Sequence, residues 1–182
     1  MDIVFVLDVS GSVEDDYRLT MNFARKVVAG LDIASGAVRV GAVAFAAGIN
    51  GQFYLNQNIG RQSGVIDSLD FRYIGGTTNT PLALTTVKNN HLTGSRGDRQ
   101  GVDDILMLVT DGYSNVDQDQ TVPLSDQLKS SGVTIYAVAI GESPQMSELY
   151  DIISEGGNLV SLTSQSDISD VADQLLDKLC PN

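Results

Sequence analysis

Residues 2–12 read Asp-Ile-Val-Phe-Val-Leu-Asp-Val-Ser-Gly-Ser (DIVFVLDVSGS), and the change of pattern at Asp8 decides the fold. Asp2–Asp8 is a continuous apolar run rich in β-branched residues, as expected of a strand covered on both faces. The polar Ser10-Gly11-Ser12 turn stops it. Beyond the turn, Tyr17, Met21, Ala24, Val27, Val28 and Leu31 recur at three- and four-residue intervals, which predicts an amphipathic helix over Glu14–Leu31. Glu14, Asp15 and Asp16 would sit in its first turn, with Arg25 and Lys26 later, matching the helix dipole.

The same alternation continues outward along the chain. Val38–Ala46, Ile105–Thr110, Val133–Ile140 and Leu159–Leu162 read as strands. Asn50-Gly51 is a turn signal that lets Phe53–Leu55 return as a short antiparallel edge strand. Helices are expected over Gln62–Leu69, over Thr80–Leu92 with Pro81 at its first position, and near Val122–Ser131. Another should run from Ser143-Pro144 to Gly156-Gly157, and a last one over Ser166–Leu179. Alternating strands and helices imply an α/β fold: a doubly wound, mainly parallel six-stranded sheet with one short antiparallel edge strand and helices on both faces, Rossmann-like. No repeat or linker divides the chain, so residues 1–182 are read as a single domain.

With 182 residues and 42% hydrophobic side chains, the chain can bury a core without staples. The 11 basic residues against 23 acidic ones, a net charge of −12, argue against nucleic acid, whose binders carry a basic face. They favour cations or basic partners, or a plain solvated surface. Cys180 is the one cysteine, so the fold cannot rest on an internal disulfide. Met1 is followed at once by a strand without a signal-peptide pattern, and no apolar run reaches membrane-spanning length. The chain is therefore read as a domain cut from a longer protein.

Loops at the carboxyl ends of parallel strands are where a site is expected, above all where strand order reverses. Three polar clusters fall there: Asp8-Val9-Ser10-Gly11-Ser12, Gly75-Gly76-Thr77-Thr78-Asn79-Thr80, and Thr110-Asp111-Gly112. In a doubly wound order the strands ending at Asp8 and Thr110 are neighbours across the switch point, so Asp8 and Asp111 would face each other. Two carboxylates with hydroxyls, and no His or Cys nearby, form an all-oxygen donor set suited to Mg²⁺ or Ca²⁺, with Mn²⁺ as an alternative. Ser10 and Ser12 could instead cap the following helix, but that leaves Asp8 and Asp111 without a reason.

The ordered trio of an Asp-x-Ser-x-Ser run after a strand, a GGTTNT loop and a strand ending in Thr-Asp-Gly resembles the metal-ion-dependent adhesion site of von Willebrand factor type A domains. The likeness covers nearly the whole chain. It implies that Ser10 and Ser12 coordinate an ion directly, that Asp8 and Asp111 do so directly or through water, and that Thr78 is a movable ligand. It implies an extracellular protein partner offering Asp or Glu, such as a collagen, and a last helix that shifts as the ion changes coordination. It also implies a disulfide mate for Cys180 ahead of Met1. A second function class is a structural matrix or mineral-associated module that binds Ca²⁺ and self-associates.

Other signals carry less. Arg96-Gly97-Asp98 spells the tripeptide recognised by many integrins, but such short motifs recur by chance, and plain loop residues are the expected reading. His91 is expected as a helix-end cation or a solvated side chain. Thr77 and Thr80 are expected as capping and loop residues rather than ligands, with Thr80 the better cap. An enzyme is not expected. A Mg²⁺-dependent phosphatase built on a strand-end aspartate needs a second carboxylate two residues on, where Ser10 stands, and no Ser-His or Cys-His relay is in place.

Overall fold

The computed structural model describes residues 1–156 and 159–180. Strands β1 (Asp2–Asp8), β2 (Arg39–Phe45), β3 (Ile49–Phe53), β4 (Asp104–Thr110), β5 (Thr134–Ile140) and β6 (Leu159–Leu162) form one sheet in the order β3-β2-β1-β4-β5-β6. All pairings are parallel except β2 with β3. The doubly wound sheet expected from the sequence is what forms, and its order reverses between β1 and β4.

Period-two alternation splits each central strand between two cores. Ile3, Phe5, Leu7, Ile105, Met107 and Val109 face α1 (Tyr17–Gly30), α2 (Gln62–Ser68) and α6 (Ile168–Leu179). Val4, Val6, Leu106 and Leu108 face α3 (Thr80–Thr86), α4 (Thr121–Ser130) and α5 (Met146–Ile152). Every residue of β1 is buried, which is why the strand reads as an unbroken apolar run. The stripe Ile168, Val171, Ala172, Leu175 and Leu179 seats α6 on the first core.

Several boundaries differ from expectation. Helix α1 begins at Tyr17, after a 3₁₀ turn over Gly11–Val13. Glu14, Asp15 and Asp16 therefore precede its first turn, because the chain is still rising out of the β1 loop there. Asn50-Gly51 is not the hairpin turn but part of β3 itself, and the reversal falls at Ala46–Gly48, where Ala46 N–H donates to the Gly48 carbonyl at 2.9 Å. The register steps from Ala44 opposite Gly51 to Phe45 opposite Ile49, which leaves Asn50 as the extra residue of a bulge. A Cβ on Gly51 would come within 2.6 Å of the Phe71 ring, so this glycine serves packing rather than a turn.

The helix expected over Thr80–Leu92 stays α-helical only to Thr86 and continues as a π turn over Val87–His91. Its cap is Asn79, whose side chain accepts from Leu82 N–H, rather than Thr80. That shift places Pro81 one position later than expected, still within the turn that needs no internal donor. The predicted end of α5 at Gly156-Gly157 falls partly outside the described residues, since the helix ends at Ile152 and Gly157 is not described.

Candidate metal centre

Asp8 ends β1 with its side chain on the second-core face, fully buried at the switch point. Its Oδ1 accepts from Ser10 N–H (2.8 Å) and its Oδ2 from the Thr110 hydroxyl (2.6 Å). Burial pushes the Asp8 carboxyl above the ordinary range, and the nearby Asp111 charge adds to that, against the pull of the Thr110 and Ser10 hydrogen bonds. A buried carboxylate with only partial compensation is one that an added cation would stabilise.

Ser10 Oγ lies 2.8 Å from Thr78 Oγ1 and 3.2 Å from Ser12 Oγ. Neither serine caps a helix: Ser10 holds the position before the 3₁₀ turn but makes no side-chain capping bond. The hydroxyls turn toward one another instead. The loops carrying them are stitched together, with Gly11 N–H donating to the Gly76 carbonyl (2.9 Å), and with Ile74 and Gly75 N–H both donating to the Val9 carbonyl. Ser10 and Thr78 are buried, Ser12 is exposed and Asp111 is half-buried, so the cleft has a closed floor and an open mouth.

The β4 loop closes the third side. Gly112 takes φ 99°, and a Cβ there would come within 2.3 Å of the Gln145 carbonyl oxygen. Only glycine lets this loop pass under the chain leading into α5. Gln145 N–H donates to the Asp111 carbonyl at 2.7 Å. Beyond Gly112 the loop grips Thr78: Asn115 Oδ1 accepts from Thr78 N–H (2.9 Å), and the Thr78 carbonyl accepts from Asn115 N–H (3.0 Å) and Ser114 Oγ (3.2 Å). Buried Glu148 of α5 in turn accepts from Ser114 N–H (3.1 Å) and Gln118 Nε2 (3.2 Å). Its carboxyl is raised, chiefly by burial.

The structure thus brings Asp8, Ser10, Ser12 and Thr78 to one cleft, with Asp111 at its edge. Asp8 meets the Thr110 hydroxyl directly rather than Asp111, because strand pairing sets Leu7 opposite Val109 and so carries Thr110 alongside Asp8. Sequence reasoning missed Thr110 as the partner of Asp8, and Ser114, Asn115 and Glu148 as supports. The first is legible once the β1/β4 register is known; the others carry no motif. Around the mouth the charge is negative. Asp16 is held above the ordinary carboxylate range, first by burial and then by Asp15, Asp111 and Glu142.

The remaining sequence signals fall elsewhere. Arg96-Gly97-Asp98 is tied down in the fold: the Arg96 guanidinium lies 3.9 Å over the Tyr54 ring, and the carbonyl of the buried Gly97 accepts from Arg39 Nη1 at 2.7 Å. Asp98 joins Asp2 and Asp104 in a cluster whose oxygens lie within 4.8 Å of one another, at the amino ends of β1 and β4. There Asp2 is neutralised by Arg99 Nε (2.9 Å) and Nη2 (2.7 Å). His91 is neither a helix-end cation nor solvated. It is fully buried beneath Tyr54 with Nε2 3.2 Å from Gln52 Oε1, and burial lowers its pKa to about 4.

Residues 2–174 match the family model for the von Willebrand factor type A domain. The chain is 35% identical to the collagen alpha-4(VI) chain of Mus musculus and 33% identical to the collagen alpha-5(VI) chain of Homo sapiens, over 98% and 99% of its own length. It spans only 8% and 7% of those relatives. Among solved structures it superposes on proximal thread matrix protein 1 from the mussel byssus "with zinc occupied MIDAS motif", with a TM-score of 0.87 and 26% identity, covering 98% of this chain and 48% of that one. Fold, motif order and sequence likeness agree: the chain belongs to the von Willebrand factor type A domain family.

Proposed function

We propose that the cleft at the β1/β4 switch point holds Mg²⁺ or Ca²⁺, replaceable by Mn²⁺, through Asp8, Ser10, Ser12, Thr78 and Asp111, and that the domain binds protein partners there. The observation that carries this reading is the hydroxyl trio. Ser10 Oγ stands 3.2 Å from Ser12 Oγ and 2.8 Å from Thr78 Oγ1. Neighbouring ligands of a hard octahedral ion at about 2.1 Å are roughly 3 Å apart, so these hydroxyls already have the spacing of one coordination shell. All the donors are oxygens, as a hard cation prefers.

The bound ion supplies a positive centre for a carboxylate. Asp8 and Asp111 together would balance the ion's two charges while the three hydroxyls are neutral donors, and five donors leave one octahedral position open to a partner's Asp or Glu. The acidic rim opposes carboxylates that do not reach the ion, which makes binding depend on the cation. Likeness to type VI collagen chains supports an extracellular setting within a larger protein, and a matrix partner such as a collagen. Nothing in the cleft provides a general base in the acid/base position of a phosphatase, where Ser10 stands, and His91 lies outside it; we read the domain as a binding module, not an enzyme.

Calorimetric titration of the folded domain with Mg²⁺, Ca²⁺ and Mn²⁺, followed by collagen binding with and without chelator, tests this directly. Saturable uptake and chelator-sensitive adhesion are expected; adhesion that persists in chelator would place the binding surface elsewhere. The net charge of −12 favours a second reading, a Ca²⁺-gathering matrix module that assembles with its own copies. Calcium-dependent self-association in sedimentation, without ligand adhesion, would select it.

A further inference from the structure

We propose that Asn115 is a positioning residue for Thr78: it clamps the Thr78 peptide group on both sides and so fixes the Thr78 hydroxyl among the donors of the cleft. The proposal rests on the metal-binding reading above. Asn115 both accepts from Thr78 N–H (2.9 Å) and donates its own N–H to the Thr78 carbonyl (3.0 Å), and Ser114 Oγ reinforces the second contact (3.2 Å). Among the described residues, no other hydrogen bond reaches either backbone group of Thr78. Thr78 itself is 1% exposed, so releasing the clamp would leave a buried N–H unpaired.

The clamp joins two loops that strand order alone does not join. Thr78 belongs to the loop before α3, and Asn115 to the loop that starts with Asp111. That second loop is fastened to α5 through Gln145 N–H on the Asp111 carbonyl and Glu148 on Ser114 N–H and Gln118. Thr78 and Asp111 are therefore tied through one run of hydrogen bonds to α5 and the residue before it. Groups that hold a ligand residue in place typically change metal affinity by about 10- to 100-fold when removed. Asn115 is exposed, so Asn115→Ala removes the side-chain acceptor without opening the core.

The test is a double-mutant cycle read by Mn²⁺ titration of wild type, Asn115→Ala, Thr78→Ala and the double variant. Asn115→Ala should weaken Mn²⁺ binding by about 10- to 100-fold, and should add nothing once Thr78 is alanine. Hydrogen exchange of the Thr78 amide in chelator should quicken in Asn115→Ala, which reads the clamp without any metal. Equal losses in both backgrounds, or no loss, would overturn the proposal while leaving the metal site standing. If Thr78→Ala leaves no measurable uptake, Mn²⁺ water relaxivity decides: Asn115→Ala should show one more bound water at saturation, and an unchanged number overturns the clamp. No Mn²⁺ uptake by folded wild type would instead remove the metal reading and the clamp with it.

Discussion

The Thr110 hydroxyl donates to Asp8 Oδ2 at 2.6 Å across the boundary between β4 and β1. Two central strands thus meet at their carboxyl ends through a short hydrogen bond to a buried acid. The Asp8 side chain is thus oriented by the scaffold itself, while burial still holds its carboxyl above the ordinary range.

Removing that donor should be costly. Thr110→Val keeps the shape but leaves one carboxylate oxygen without its hydroxyl. A hydrogen bond to a charged group contributes about 1.5–3 kcal/mol, so unfolding in urea with chelator present should show a loss of about 2 kcal/mol. An unchanged midpoint would mean that water or a rotated side chain replaces Thr110.

Divalent cations should stabilise the domain through the cleft. At 100 times its dissociation constant, a ligand specific for the folded state adds about 2.7 kcal/mol. Mg²⁺ or Mn²⁺ should therefore raise the thermal midpoint of wild type, and Asp8→Ala should remove both that response and chelator-sensitive adhesion. A full cation response in folded Asp8→Ala would place the ion elsewhere.

Asp104 should make the domain less stable as pH rises. Burial and the neighbouring Asp98, Asp2 and Asp103 push its carboxyl up to about 7 from an ordinary 3.8. A folded value above the unfolded one means the contribution is complete below pH 3.8 and lost as pH climbs through about 7. Asp104→Asn should therefore stabilise at pH 8, by about 1 kcal/mol once solvent screening is allowed for, and do nothing near pH 3. Chemical denaturation at the two pH values checks it.

His91 works in the opposite direction. Its value is lowered from 6.5 to about 4 by burial and by Arg96, so its contribution is present above pH 6.5 and lost as pH falls through about 4. Relative to a variant with an apolar residue at 91, wild type should lose on the order of 3 kcal/mol between pH 7 and pH 4. The Asp104 and His91 windows overlap with opposite signs, so each must be read as a difference from its own variant.

Much of this protein is legible in its sequence. The unbroken apolar run of β1, the helical stripe from Tyr17 to Leu31 and the last helix were readable because burial imposes its periodicity on one stretch of chain at a time. The three polar loops at the strand ends were readable too, since each is a short, contiguous chemical pattern. Asn50-Gly51 misled because the same dipeptide serves a turn and a bulge, and here Gly51 packs against the distant Phe71 ring. His91 misled because its burial comes from Tyr54 and β3 packing over it, not from its place near a helix end.

By itself, the order of residues determined a doubly wound α/β fold, the strands that end at the candidate site and the side-chain oxygens those ends carry. Only the tertiary structure decided that Asp8 pairs with Thr110, that the Ser10, Ser12 and Thr78 hydroxyls converge, and that Asn115 ties Thr78 to the loop of Asp111. The physical reason is one of range. Hydrophobic period and local hydrogen bonding act between near neighbours and leave their mark in sequence, whereas register and loop-to-loop contacts depend on groups that meet only after the sheet has closed.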